Sequence, residues 1–520
     1  MSQRARVLIV GAGMGGLAAA IVLAARGLDV TALETGPRPG GKMGEVDVDG
    51  LKIDAGPTVL TMRWVFDDLF ERAGASLSAR LALTRVERLA RHAWPDGRRL
   101  DLYAEVKQSA EAIREFAGAR EAEGYRQFCR RAQDIYETLR NSYIAAPQTD
   151  PVGLARRVGA SGVPGLIRIS PFTTLWRALG DHFADPRLRQ MFGRYATYCG
   201  SSPFQAPATL MLIAHVEREG VWLVDGGMAR LAEALCEAAQ GCGADFRFGR
   251  RAKRVLIERD RAVGVETDDG ERVAADAIIW NGDVAALADG SLGPDARRAA
   301  APPQGNRSLS AVTWALACSP AGFPLIRHNV FFSSDYRSEF DDIFSHRRLP
   351  REPTVYVCAE DRTDDDLEAA STGRERLFCL VNAPARSTTL SAEEIDACEA
   401  AAFRLLERCG LTIRRTAQAT VRTTPEDFGR LFPSTQGALY GQATHGWRAT
   451  FARPGSASRV PGLYLAGGSV HPGPGAPMAA LSGRLAAERV LKDLASTRRS
   501  IPVATRGGMR TRSATTGDTR

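Results

Sequence analysis

The sequence predicts an α/β fold in which a parallel sheet is assembled from widely separated stretches of chain. Three observations carry it. An apolar strand at Arg6–Val10 runs directly into G-A-G-M-G-G and a helical segment. A second apolar strand, Gly462 to Gly468 (GLYLAGG), ends in glycines ahead of an Ala/Leu-rich helix at the other end of the chain. The composition, 44% hydrophobic and 25% charged over 520 residues, is that of an ordinary globular protein of at least two domains.

The first element invites a different reading. Val7 to Ala25 is an uncharged apolar stretch of 19 residues behind Arg4 and Arg6, which resembles a signal peptide or a membrane span. The glycines of G-A-G-M-G-G break any apolar helix there, so the stretch divides into a buried strand, a tight turn and a helix from about Gly15 to Arg26. Gly11, Gly13 and Gly16 then form G-x-G-x-x-G, and the next strand, Asp29 to Glu34, closes on an acidic residue. This is the arrangement of a dinucleotide site. Gly11 permits the turn, Gly13 lets a pyrophosphate approach the backbone, Gly16 allows close packing of helix on strand, and the helix N-terminus supplies N–H donors. Glu34 suits ribose hydroxyls and argues against a 2′-phosphate.

The segments that follow, P-R-P-G-G-K-M-G at Pro37–Gly44 and D-V-D-G-L-K-I-D-A-G-P-T at Asp47–Thr58, resemble those of the two-dinucleotide-binding-domain flavoproteins, the superfamily of amine oxidases, protoporphyrinogen oxidases and phytoene desaturases. The resemblance implies a Rossmann-like FAD-binding domain, with a discontinuous α+β substrate domain beside it. It also implies that Gly41 and Lys42 run along the FAD pyrophosphate, and that Thr58 and Val59 contact the cofactor. At the C-terminal end it implies a second contact through Gly467, Gly468, Pro477 and Met478, followed by a helix through Leu491 whose N-terminus favours negative charge on reduced flavin. His471, in the same loop, is expected to be structural.

Between the two ends, Gly226-Gly227-Met228 opens a helix over Ala229–Ala239, and residues 250–270 read as two strands around a turn. In the resembling family, the strand containing Val255 contacts the adenine through its backbone. Asp276–Asp283 is a further buried strand ending near the cofactor. The expected FAD domain comprises residues 1–75, 215–300 and 430–495, and the substrate domain 76–214 and 301–429. The remainder, 496–520, is a basic tail.

Within the superfamily the chain is most similar to carotenoid desaturases, and among them to the 1-hydroxycarotenoid 3,4-desaturases (methoxyneurosporene or hydroxyneurosporene dehydrogenases). The residues concerned are D-A-G-P-T-V-L-T at Asp54–Thr61, G-V-W-L-V-D-G-G-M at Gly220–Met228, and G-G-S-V-H-P-G-P-G-A-P-M-A-A-L-S-G at Gly467–Gly483. Phytoene desaturases end closer to H-P-G-A-G-I-P-G, whereas this chain has Pro474 in the loop and Met478 in place of glycine. The resemblance implies hydride transfer to flavin from an acyclic carotenoid, with quinone or oxygen as electron acceptor. Phytoene desaturation and flavin-dependent carotenoid isomerisation are the alternatives. No acid–base pair stands out, so no catalytic residue is assigned.

A polyene substrate lives in the bilayer, which calls for peripheral membrane contact by a cytoplasmic protein. Val163–Phe192 is the candidate, because Phe172 to Leu179 has amphipathic helical spacing; a core-facing helix is the other reading of the same spacing, and the favoured one. Net charge is +8, but six Arg and one Asp from Arg498 onward place most of it in a Ser/Thr/Gly-rich tail expected to be disordered, with weak attraction to anionic lipid as the lesser reading. Nothing points to nucleic acid. Nine Cys without C-x-x-C spacing and seven scattered His indicate neither a disulfide framework nor a metal site.

Overall fold

The structure is a computed structural model that describes residues 4–159, 169, 171–363, 373–385 and 390–499. Most of the expected tail and the stretch Val163–Arg168 lie outside the described residues.

A five-stranded, wholly parallel sheet is built from β1 (Arg6–Val10), β2 (Asp29–Leu33), β3 (Asp245–Arg247), β4 (Ala277–Trp280) and β5 (Leu463–Leu465), in the spatial order β5-β4-β1-β2-β3. Segments more than four hundred residues apart thus share one sheet. Its strands β1, β4 and β5 are nearly continuous apolar runs, as a parallel sheet covered on both faces requires. Three helices matter to the site. They are α1 (Met14–Ala24), α2 (Ala229–Gly241) and α3 (Ala476–Arg499). All eleven residues of α1 are buried, and it packs against both α2 and α3. Small residues make the α1–α3 approach possible, since a Cβ on Gly483 would overlap Gly15 O. α3 continues to Arg499, well past the expected end at Leu491, because nothing in its sequence after Leu491 breaks a helix.

A second, seven-stranded sheet has the order Thr420–Thr423, Ser310–Cys318, Glu375–Ala383, Val355–Ala359, His328–Phe331, Arg88–Ala93, Arg99–Tyr103, with only His328–Phe331 and Arg88–Ala93 parallel. Every residue of Ser310–Cys318 is buried. The helix Ala392–Arg408 starts on a capping box between Ser391 and Glu394 and covers this sheet with Cys398, Ala402, Phe403 and Leu406.

The amphipathic spacing from Phe172 to Leu179 yields a shorter helix than expected, Leu175–Gly180, capped by Thr174. Leu175 and Leu179 have no exposed surface, and Trp176 packs on Phe204 at 4.6 Å, so the helix faces the core. Phe172 lies outside it and is 77% exposed, with its ring edge-on to Trp447. No described helix is long and apolar enough to cross a membrane.

Candidate cofactor and substrate site

The glycine turn after β1 has the expected conformation. Gly11 sits at φ +99°, donates its N–H to Leu33 O at 2.7 Å, and leaves no room for a Cβ on Gly16, which would overlap Gly11 O. Gly13 differs. A Cβ there would meet only Asn281 Nδ2, at 3.2 Å, and otherwise point into open space. α1 begins with neither a side-chain cap nor an acidic residue in its first turn, so its leading N–H groups face an open site. Glu34 accepts hydrogen bonds from Ala12 N at 2.7 Å and Gly36 N at 2.8 Å, which fixes the carboxylate at the rim of the turn with lone pairs to spare.

The next glycines close over this turn. Gly40 donates to Ala12 O, and a Cβ on Gly41 would stand 3.3 Å from Gly13 Cα. Lys42 follows. Its ammonium donates to Leu439 O at 2.6 Å and lies 5.3 Å from the Phe432 ring centroid. The side chain is solvent-accessible, yet protein surrounds it, and that desolvation lowers its pKa to about 8 against the opposing pull of Asp283.

The C-terminal segment reaches the same place. A Cβ on Gly15 would lie 2.9 Å from Gly467 N and 3.0 Å from Ala479 O, so the first turns of α1 and α3 touch. Gly467 N donates to Ser482 Oγ at 2.7 Å. Gly468 O is held by Arg453, a 5% exposed residue whose guanidinium also bonds Tyr440 O and Gln442 O. Pro477 and Met478 stand in the first turn of α3, with Met478 half-buried. His471 donates from Nε2 to Tyr143 O and Ala146 O at 3.0 and 2.9 Å, which ties the loop to the neighbouring segment.

Two residues in this assembly carry no motif. Asn281 joins the halves: Nδ2 donates to Gly11 O at 3.0 Å, while Oδ1 is buried beside Gly467 with no partner. Arg453 organises the C-terminal loop through carbonyls alone. A lone Asn at a strand end and one Arg among many give no periodic signal.

Thr58 and Val59 are half-buried. Leu60, the next residue, exchanges backbone hydrogen bonds with Trp222, which brings the D-A-G-P-T and G-V-W-L-V segments together. Thr58 Oγ1 is 2.6 Å from Tyr356 Oη, which in turn is 2.8 Å from His328 Nδ1. Burial lowers the His328 pKa to about 3, so its ring is neutral. Val255 is 3% exposed in an apolar cluster that includes Val10 and Leu33, the residues just before the glycine turn and just before Glu34, and its N–H donates to Leu292 O at 3.0 Å. From the same region Arg250 donates its N–H to Glu34 O at 2.8 Å.

This donor set fits FAD. Two adjoining helix N-termini, an open cradle at Gly13, an unpaired buried Asn281 Oδ1 and a fixed carboxylate at Glu34 match an anionic pyrophosphate, a polar ring edge and ribose hydroxyls. Comparison with known proteins agrees. Residues 14–491 match the family described as flavin containing amine oxidoreductase. A hydroxyneurosporene desaturase of Rubrivivax gelatinosus is 54% identical over 516 residues, covering 98% of each chain, and one of Cereibacter sphaeroides is 44% identical, covering 94% of this chain and 98% of its own. An oxidoreductase from Methanosarcina mazei has the same fold, with a TM-score of 0.59 at 15% identity over 94% of this chain and all of its own. The fold, the donor set and the match over nearly the whole chain agree: the chain belongs to the flavin-containing amine oxidoreductase family and is an FAD-dependent oxidoreductase.

Proposed function

We propose that the protein is a carotenoid desaturase that introduces the 3,4 double bond into acyclic 1-hydroxy carotenoids such as 1-hydroxyneurosporene. The observation that carries this reading is the 54% identity, over 98% of both chains, to a hydroxyneurosporene desaturase. The lesser similarity to a 4,4′-diapolycopene oxygenase of Methylomonas, 29% identical, keeps the substrate within the carotenoids.

In this reading Gly11, Gly13, the first turn of α1 and Lys42 hold the pyrophosphate, Gly41 packs under it, and Glu34 takes the ribose. Thr58, Val59, Gly467, Gly468, Pro477 and Met478 border the flavin. When bound, FAD supplies the hydride acceptor. The chain's part is to hold the polyene end in line, keep water from the cleft and present first-turn N–H groups where negative charge develops. The sheet built from β1 to β5 marks the cofactor domain, with boundaries near 1–75, 215–300 and 430–495, and the seven-stranded sheet belongs to the substrate domain. The exposed Phe172 against Trp447, with Val152 exposed on a helix of the adjoining segment, supports a peripheral membrane contact on that side. The electron acceptor in this reading would be quinone or oxygen.

The test is conversion. Purified protein given 1-hydroxyneurosporene should remove two hydrogens, seen by mass, and shift the pigment absorption to the red, while anaerobic substrate bleaches the flavin. Conversion of phytoene alone, or an isomer of unchanged mass, would replace this reading by one of its alternatives.

A further inference from the structure

A second feature of the cleft concerns which substrate it accepts. Arg194 begins the short helical turn Arg194–Cys199. Its guanidinium lies between two tyrosines, 5.4 Å from the Tyr198 ring centroid and 5.3 Å from that of Tyr356. A guanidinium carries five N–H donors, and enclosed ones are ordinarily paired. Arg362, for example, forms a two-pronged bond to Glu375 at 2.7 and 2.8 Å and a third to Leu325 O, and Arg453 holds three carbonyls. Arg194 has one hydrogen bond, to Tyr198 Oη at 3.4 Å, and no ion pair among the described residues. Protein surrounds it closely enough to desolvate it, yet Arg194, Tyr198, Tyr356, Thr58 and Val59 all keep accessible surface. The other N–H donors of Arg194 have no protein partner among the described residues.

The surroundings hold this donor in place. Glu217 accepts the hydroxyls of Tyr195 and Tyr198, each at 2.7 Å, so Tyr198 Oη has its lone pairs free for Arg194. On the other side Tyr356 Oη is fixed between Thr58 and His328. Thr58 belongs to the segment that borders the flavin in the proposed function, so the polar wall lies beside the place where carbons 3 and 4 react. An oxygen on carbon 1 is three bonds from carbon 3 and so lies near it.

Resting on the proposed desaturase function, we infer that Arg194, oriented by Tyr198 and Tyr356, donates to the oxygen on carbon 1 of the substrate and so selects oxygenated carotenoid ends over plain hydrocarbon ones. A hydroxyl or methoxyl oxygen accepts a charge-assisted hydrogen bond from the guanidinium. A hydrocarbon end leaves those donors desolvated and unpaired, which is the kind of mismatch that produces strong discrimination.

The experiment compares kcat/KM for 1-hydroxyneurosporene with that for the same carotenoid lacking the hydroxyl, in the FAD-loaded enzyme and in its Arg194→Met and Tyr198→Phe variants. Arg194→Met should lower the ratio about tenfold to a hundredfold, through loss on the hydroxylated substrate, and Tyr198→Phe should lower it less, with the flavin spectrum unchanged. A parallel loss on both substrates with the ratio intact would overturn the inference and make Arg194 a structural residue. Should Arg194→Met fail to bind FAD, Tyr198→Phe and Arg194→Lys decide the matter by the same ratio. An unmodified enzyme that desaturates the two substrates equally overturns the inference alone, whereas one that desaturates no carotenoid overturns the function beneath it as well.

Discussion

Asp54 accepts the amide hydrogen of Met228 at 2.8 Å, across 174 residues of sequence. Asp54 therefore caps the approach to α2 from a distant segment, and its own N–H donates to Glu360 Oε1 at 2.9 Å in the second sheet. A Cβ on Gly227 would stand 2.9 Å from Asp54 Oδ2, with the backbone at φ +93°, so D-A-G-P-T and D-G-G-M are two halves of one contact. The carboxylate is 6% exposed and links both sheets to the helix beside the cleft.

Asp54→Ala should accordingly destabilise the protein by about 1 to 3 kcal/mol, because it removes a cap and leaves buried amides without a partner. Urea denaturation checks this, and Gly227→Ala should show a loss of similar size. Full stability in either variant would mean that the contact is incidental.

Gly13 and Gly16 should separate binding from folding. Gly13 has φ −73° and ψ 176°, which alanine adopts without strain, and its Cβ would enter the open cradle. Gly13→Ala should fold normally and bind FAD at least about tenfold more weakly, a difference of about 1.4 kcal/mol. Gly16→Ala would drive a methyl into Gly11 O and should cost about 1 to 3 kcal/mol of stability from strain. Flavin titration alongside denaturation distinguishes the two, and equal behaviour in both assays would contradict the assignment.

Stability should fall as pH rises from the ordinary carboxylate range to about 8. Burial raises the Glu339 carboxyl to about 7, and burial together with nearby Asp54 raises Glu360 to about 8. Each is protonated more readily in the folded chain than in the unfolded one, so its contribution is complete below the ordinary carboxylate range. That contribution is lost as pH rises through about 7 and about 8, with a slope of up to about 1.4 kcal/mol per pH unit for each group. Denaturation midpoints between pH 5 and 9 test it. Glu339→Gln, which keeps an acceptor for Thr354 N (now bonded at 3.1 Å), should flatten the slope; an unchanged slope would show that other groups set it.

The local elements were legible because each is written in contiguous residues. Arg6–Val10, the glycines, the helix behind them and Asp29–Leu33 follow from apolar runs and turn chemistry, and GLYLAGG followed by an Ala/Leu-rich stretch gives the matching strand and helix at the far end.

By itself, then, the sequence determined the βαβ unit, the acidic residue closing it, the flavin class and the separation of the cofactor segments along the chain. Only the tertiary structure decided that Leu175 and Leu179 face the core, that Asn281 joins the two ends while Arg453 braces the C-terminal loop, and that Arg194 sits between Tyr198 and Tyr356 with donors unused. The physical reason is range. Backbone propensity and periodicity act over neighbouring residues, whereas the pairing of a buried polar group depends on partners that folding alone brings within hydrogen-bond distance.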